Sequence, residues 1–103
     1  MRLTKTVYGY GLIFEGYDYR GAPIYSEGID LDNPIQCEIE PFSSQLAGNL
    51  YGISAQVTHR MFCKPNQNIS LGKYLYYLDE KYLITSVLEY DRHYEVLINK
   101  EAS

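Results

Sequence analysis

Glu38 and Glu40 stand two residues apart in Ile35-Gln36-Cys37-Glu38-Ile39-Glu40. On a strand that spacing points both carboxylates the same way. Paired carboxylates can perform general acid–base hydrolysis. The same alternation, with Ile35, Cys37 and Ile39 turned in and Gln36, Glu38 and Glu40 turned out, also describes a half-exposed strand stopped by Pro41. The pair therefore reads as a solvated strand face. Cys37 and Cys63 lie 26 positions apart, and His59 and His93 lie 34 apart, unlike the close ligand pairs of a zinc site. His59 falls on the apolar face of a predicted strand and reads as a structural histidine. His93 follows Asp91-Arg92 in a predicted turn and helps close a hairpin. Leu71-Gly72-Lys73 ends like a phosphate-binding loop, but Gln67 stands where that motif needs Gly, and Tyr74 replaces its Ser or Thr. Tyr8-Gly9-Tyr10-Gly11 lacks the third glycine of a dinucleotide fingerprint, and no helix follows it. Gly-x-Ser-x-Gly, zincin and Cys/His/Asn signatures are not found. The sequence predicts a non-enzymatic protein with no cofactor and no metal.

Tyrosine is the other conspicuous residue type: twelve, against three Phe and no Trp. Tyr offers a large contact area with a polar tip, which suits interfaces and wet barrel surfaces, and it is also simply a good strand residue.

The elements that would carry these side chains are strands. Leu71–Asn99 reads as a three-strand meander: Lys73–Leu78, Tyr82–Glu89 and His93–Asn99, separated by Asp79-Glu80-Lys81 and Asp91-Arg92. Strict alternation puts Tyr82, Ile84, Ser86 and Leu88 on one face of the second strand, and Leu83, Thr85, Val87 and Glu89 on the other. On the third, Tyr94, Val96 and Ile98 oppose Glu95, Leu97 and Asn99. One face is apolar and the other mixed, as expected of a small barrel whose outer wall meets something else.

Upstream, residues 4–14 look extended, with Gly9 and Gly11 marking a bend or bulge. Asp18 and Gly21 bracket a four-residue turn, and Pro23 leads back into extended chain. Residues 26–34 read as a polar acidic loop ending at Asn33-Pro34. In Phe42–Gly52, Ser43 or Ser44 can cap one short helical turn through Gln45-Leu46-Ala47, ended by Gly48; otherwise the segment is a mobile loop. Ile53–Cys63 reads as a further strand, and Lys64–Asn68 as a loop. Residues 1–103 are predicted to form a single all-β domain, a small barrel or sandwich of about six or seven short strands with mobile loops.

The net charge of −4 is uneven. Residues 1–50 carry three bases and seven acids, and residues 51–103 carry six of each. Five acids and no base fall between Ser26 and Glu40. Such a surface does not grip a phosphate backbone, although an acidic lining would let DNA pass without sticking. No run reaches the length of a membrane helix. Met1-Arg2-Leu3-Thr4-Lys5 has no apolar run behind it, which predicts a cytosolic chain with Cys37 and Cys63 reduced.

The half from Ile53 to Asn99 resembles the head-closure proteins of long-tailed bacteriophages and prophages, also called stoppers, head–tail connector proteins or minor capsid proteins. The resemblance is carried by Val57–Cys63 ending in a loop, Ile69-x-Leu71-Gly72-Lys73, Asp79–Val87 with its Tyr82-x-Ile84 pair, and His93-Tyr94 opening the last strand. Ile39-Glu40-Pro41 followed by Ser43-Ser44 is similar to that family's strand-to-loop junction, so the likeness covers about residues 35–99. It implies a β-barrel that assembles as a homo-oligomeric ring below the portal and adaptor proteins of the virion. Such a ring closes the DNA-filled capsid and docks the tail-side proteins, while double-stranded DNA passes without sequence-specific binding. Assembly would take place in the bacterial host cytoplasm, with no membrane partner. The resemblance implies a channel or gating loop, for which the nearest equivalent is Phe42–Gly52 with Phe42, Ser43, Ser44, Gln45, Leu46 and Asn49, and the second choice is residues 26–34. Shortening Ser43–Asn49 is expected to leave rings that form and heads that leak. Tyr74, Tyr76, Tyr82 and Tyr94 are the candidate contacts between subunits. Two other readings fit the sequence: an oligonucleotide-binding barrel that uses the same four tyrosines as a stacking platform, and a tail-completion protein of the same phage machinery.

Overall fold

The structure is a computed structural model and describes residues 2–101. Met1, Ala102 and Ser103, at the ends of the predicted domain, lie outside the described residues. In chain order the elements are β1 (Lys5–Tyr17), β2 (Pro23–Pro41), α1 (Ser44–Tyr51), β3 (His59–Cys63), β4 (Tyr74–Tyr77), β5 (Glu80–Glu89) and β6 (Tyr94–Lys100). The six strands close into an antiparallel barrel in the order β1-β2-β3-β6-β5-β4. The predicted meander is present as β4-β5-β6.

Every strand feeds the interior. Val7, Ile39, Met61, Leu75, Ile84 and Val96, one from each strand, are all buried in one cluster. Ile69, in the connection between β3 and β4, joins the same cluster. A second, smaller cluster lies outside the barrel wall. There Leu97 of β6 is covered by Phe42, by Ala47 of α1 and by Val57. The mixed outer face predicted for the meander is thus covered in part by the chain's own helix.

Four expectations change. Residues 26–34 are not a loop but part of β2. Gly9–Tyr17 of β1 pairs with Pro23–Asp30, and the backbone bonds so gained outweigh the poor strand propensity of the acids. The loop-like character survives only at Leu31–Pro34. These four residues stand between the partners Gly9↔Asp30 and Val7↔Ile35, opposite Tyr8 alone.

Phe42–Gly52 is neither a loop nor a single turn ended by Gly48. It is dominated by the eight-residue α1. The Ser43 side chain accepts the Leu46 N–H at 3.1 Å, and Gly52, at φ 68°, supplies the left-handed C-cap. Third, only His59–Cys63 of the predicted Ile53–Cys63 strand pairs as a strand. The alternation of Ile53, Ala55 and Val57 reflects packing against the helix cluster instead.

Finally, β5 carries a bulge at Thr85, because Ile84 opposes Ile98 while Ser86 opposes Leu97. The extra residue reverses the alternation. Tyr82, Ile84 and Val87 pack with the barrel interior, whereas Leu88 turns to the helix cluster.

Candidate functional site

β1 and β2 are longer than the barrel needs. β4 leaves β1 at Tyr10, and β3 leaves β2 at Cys37. Beyond those points the two strands continue as a ribbon with both edges unpaired, closed by the turn at Asp18–Gly21. The Asp18 carboxylate accepts the backbone N–H groups of Arg20 and Ala22 at 2.8 and 2.9 Å, and Gly21 takes the left-handed conformation at φ 82°. Seven residues of strand reach about 23 Å, and the molecule measures 54 × 27 × 23 Å. The ribbon is an arm.

The two faces of the arm differ. One carries Leu12, Phe14, Tyr25 and Ile29, with Glu27 directly opposite Leu12. Phe14 meets Tyr17 and Tyr25 edge-on at 5.3 and 5.8 Å between ring centroids. These side chains remain largely in water: Leu12 is 72% exposed, Phe14 50% and Tyr25 54%. The other face carries Gly9, Gly11 and Gly28 beside Ile13, Ser26 and Asp30, and is nearly bare.

The apolar face continues onto the barrel. Val7 and Leu75 point inward, so their neighbours Tyr8, Tyr10, Tyr74 and Tyr76 point outward. Lys81 and Leu83, opposite Tyr76 and Tyr74, share that side. The Lys81 ammonium lies 4.4 Å from the Tyr10 ring centroid and 4.2 Å from that of Tyr74, within cation–π range. Tyr10 and Tyr76 stack at 6.3 Å. Beside this wall is a groove of about 320 Å³ whose lining includes Tyr8, Tyr76, Ile29, Leu31, Leu78 and Asp79. Leu31 and Leu78 are mostly exposed.

The tyrosines predicted to act together are divided. Tyr74 and Tyr76 are on the outer wall, but Tyr82 is buried in the barrel interior, where its ring meets His59 edge-on at 5.3 Å. Tyr94 packs half-buried against the same interior cluster. The four rings therefore form neither one stacking platform nor one contact patch. Tyr8, Tyr10 and the arm residues Leu12, Phe14 and Tyr25 were not singled out as contacts. Their signal was the run of large residues at every second position from Tyr8 to Phe14.

The predicted gating residues are divided too. Phe42 is core, Ser43 is the helix cap, and the Ser44 hydroxyl accepts the Val57 N–H at 3.0 Å. Gln45, Leu46 and Asn49 are exposed, as are Ser43 and Ser44 beside their capping and backbone contacts. Shortening Ser43–Asn49 would remove the cap and Ala47 and uncover Leu97, and so would disturb the fold as well as the exposed surface. Substituting Gln45, Leu46 and Asn49 isolates the exposed surface.

The charged groups at the barrel end of β2, Glu38 and Glu40, are tied into the fold. The Arg60 guanidinium lies between the rings of Phe42 and Phe62, at 4.4 and 4.8 Å from their centroids, pairs with Glu40, and donates to the Tyr51 hydroxyl at 2.9 Å. It ties α1 to β2 and β3. Glu38 pairs with Lys5 and accepts from the Thr4 hydroxyl at 2.6 Å; these contacts, the lysine first, hold its carboxyl at about 2. Glu38 and Glu40 therefore have separate partners. Burial lowers the pKa of His59, whose Nδ1 lies 2.9 Å from the Thr58 hydroxyl. His93 stacks on Tyr90 at 4.8 Å beside the β5–β6 turn.

Among the described residues no group of three or more His, Cys, Asp or Glu is arranged to hold a metal ion, and no helix is long and apolar enough to cross a membrane. No protein-family model matches this chain, and no curated protein sequence does. The resemblance to head-closure proteins rests on the residue pattern between positions 35 and 99.

Proposed function

We propose that this chain is a structural subunit of the head–tail connector of a long-tailed bacteriophage. In this reading it joins a homo-oligomeric ring below the portal and adaptor, closes the DNA-filled capsid and docks the tail. One observation carries the assembly part of the reading. Among the described residues each barrel strand has a partner strand on both sides, yet the chain extends a long arm whose apolar side chains, Leu12, Phe14 and Tyr25, lie in water. Exposed apolar surface of this kind suits a protein partner. The phage setting is drawn from the sequence resemblance. The acidic arm and the overall charge of −4 suit a subunit that DNA passes without being held.

The test is the mass of the purified chain, alone and mixed with portal or adaptor rings of the same phage. Joining those rings in a fixed ratio is the expected result. Failure to bind them at any concentration overturns the connector reading.

One observation favours a second reading. Tyr10, Tyr74 and Tyr76 with Lys81 make a small aromatic and basic surface, on which unstacked bases can lie. Binding of single-stranded DNA that weakens steeply with salt would support an oligonucleotide-binding barrel instead.

A further inference from the structure

We infer that the arm docks on the tyrosine wall of a second copy of this chain, in a head-to-tail contact centred on Glu27 of one copy and Lys81 of the next. The inference rests on the ring-subunit reading and names the two surfaces that reading leaves open.

The occupant follows from charge. Residues 11–32 contain five acids (Glu15, Asp18, Glu27, Asp30 and Asp32) and one base, Arg20. The arm with the adjoining Leu31-Asp32 thus carries the whole net charge of −4, and the rest of the chain has eight charges of each sign. Two arms laid face to face would set like charge against like, with Glu27 in the middle of both apolar faces. That arrangement is electrostatically unfavourable. The outer wall has the opposite character. Among the described residues, Lys73 and Lys81 have no carboxylate within ion-pair distance, and Lys81 sits among Tyr10, Tyr74, Tyr76 and Leu83. One surface is therefore an apolar, aromatic face around a single carboxylate. The other is an apolar, aromatic face around a single ammonium.

The groove beside the wall supplies the shape. Its lining includes Tyr8, Ile29, Leu31, Tyr76 and Leu78 together with the acid Asp79; it is open to solvent, and at about 320 Å³ it can admit an aromatic side chain such as Phe14 or Tyr25. An arm-on-wall contact uses two different patches of each subunit. It is therefore heterologous and propagates from copy to copy, whereas an arm-on-arm contact would stop at a dimer.

Sedimentation equilibrium of the full chain provides the test. It is carried to the millimolar range, which matches the local concentration of subunits held side by side. The wild type is expected to associate beyond a dimer. Glu27→Lys and Lys81→Glu should each weaken association about tenfold, and the double variant E27K/K81E should recover it, because the charges are exchanged but still opposite. Recovery also rules out misfolding as the cause of either single loss, and circular dichroism of each variant checks the same point. Leu46→Ser, on the exposed side of α1, should leave association unchanged.

A wild type that remains monomeric throughout overturns the inference. So does a Glu27→Lys variant that associates more tightly, which is the signature of arm-on-arm pairing, and so does a double variant no better than the single ones. Loss of association in Leu46→Ser moves the receiving surface to α1 and equally overturns the wall. Binding to portal or adaptor rings is measured separately. A chain that joins those rings while the charge exchange fails keeps the connector reading and loses this one.

Discussion

Cys37 and Cys63 face each other across β2 and β3, both fully inside the barrel and both free thiols. Burial pushes Cys37 up to about 12, with the neighbouring Cys63 adding to the shift, and pushes Cys63 up to about 11. Thiolate is the reactive form, so neither residue is nucleophilic at neutral pH. A disulfide-exchange reagent at pH 8 is expected to find no reactive thiol in the native chain and two in denaturant; rapid native labelling would contradict this interior. Glu38 behaves in the opposite sense. Its folded pKa is depressed, so its contribution to stability is complete above the ordinary carboxylate range and is lost as the pH falls towards about 2. A carboxyl-carbon NMR titration should find Glu38 at about 2, and Lys5→Met should raise it. The Glu38 partners were not visible from spacing, because Lys5 and Thr4 reach it across the β1–β2 pairing from more than thirty residues away.

At the scale of elements, α1 and the bulge in β5 belong together. The bulge turns Leu88 outward, Leu97, opposite Ser86, packs in the same outer cluster, and α1 closes over them through Ala47. Leu97→Ala is expected to cost about 2–5 kcal/mol, as for other fully buried leucines, and Ser43→Ala about 1 kcal/mol through the lost cap. Urea denaturation measures both; a Leu97→Ala loss no larger than that of the cap would mean that α1 does not seal this cluster. The meander was legible because alternation and turn residues agree over three consecutive strands. The acidic half of β2 was not, because its strand state depends on a partner that local propensity does not reveal. The helix was found but cut short at Gly48. A Cβ at Gly48 would meet the Ile53 carbonyl at an ordinary contact distance of 3.8 Å, and the chain reverses instead at Gly52. Nothing in the pattern of β5 marks Thr85 as an extra residue; its hydroxyl bonds the Leu97 carbonyl at 3.2 Å only in the folded chain.

For the molecule as a whole, barrel and arm should differ in stability. A two-stranded ribbon holds itself together only marginally in water, whereas the barrel strands share a continuous core. In the dilute monomer, backbone amides of residues 11–17 and 24–30 are expected to exchange with solvent far faster than those of β3 and β6. Slowing of the same amides at high concentration would report the docked arm, and uniform protection in the monomer would contradict an arm that lacks its partner. The all-β class and the surplus of tyrosine could be read from the sequence. The division of those tyrosines between wall and interior required the register.

The seam between β1 and β4 is only three residue pairs long, Tyr8↔Tyr76, Gly9↔Leu75 and Tyr10↔Tyr74, and it joins positions more than sixty residues apart. The β1–β2 hairpin and the β4-β5-β6 meander need only short loops to form, but this junction needs nearly the whole chain to be in place. Closing so long a loop is entropically costly, and folds dominated by such pairings are slow. The ring of strands is therefore expected to shut late during folding. Until it does, β1 and β4 are both raw edges, open to strands of other nascent chains. Expression yield should consequently fall with temperature and synthesis rate well before the stability of the finished barrel is reached.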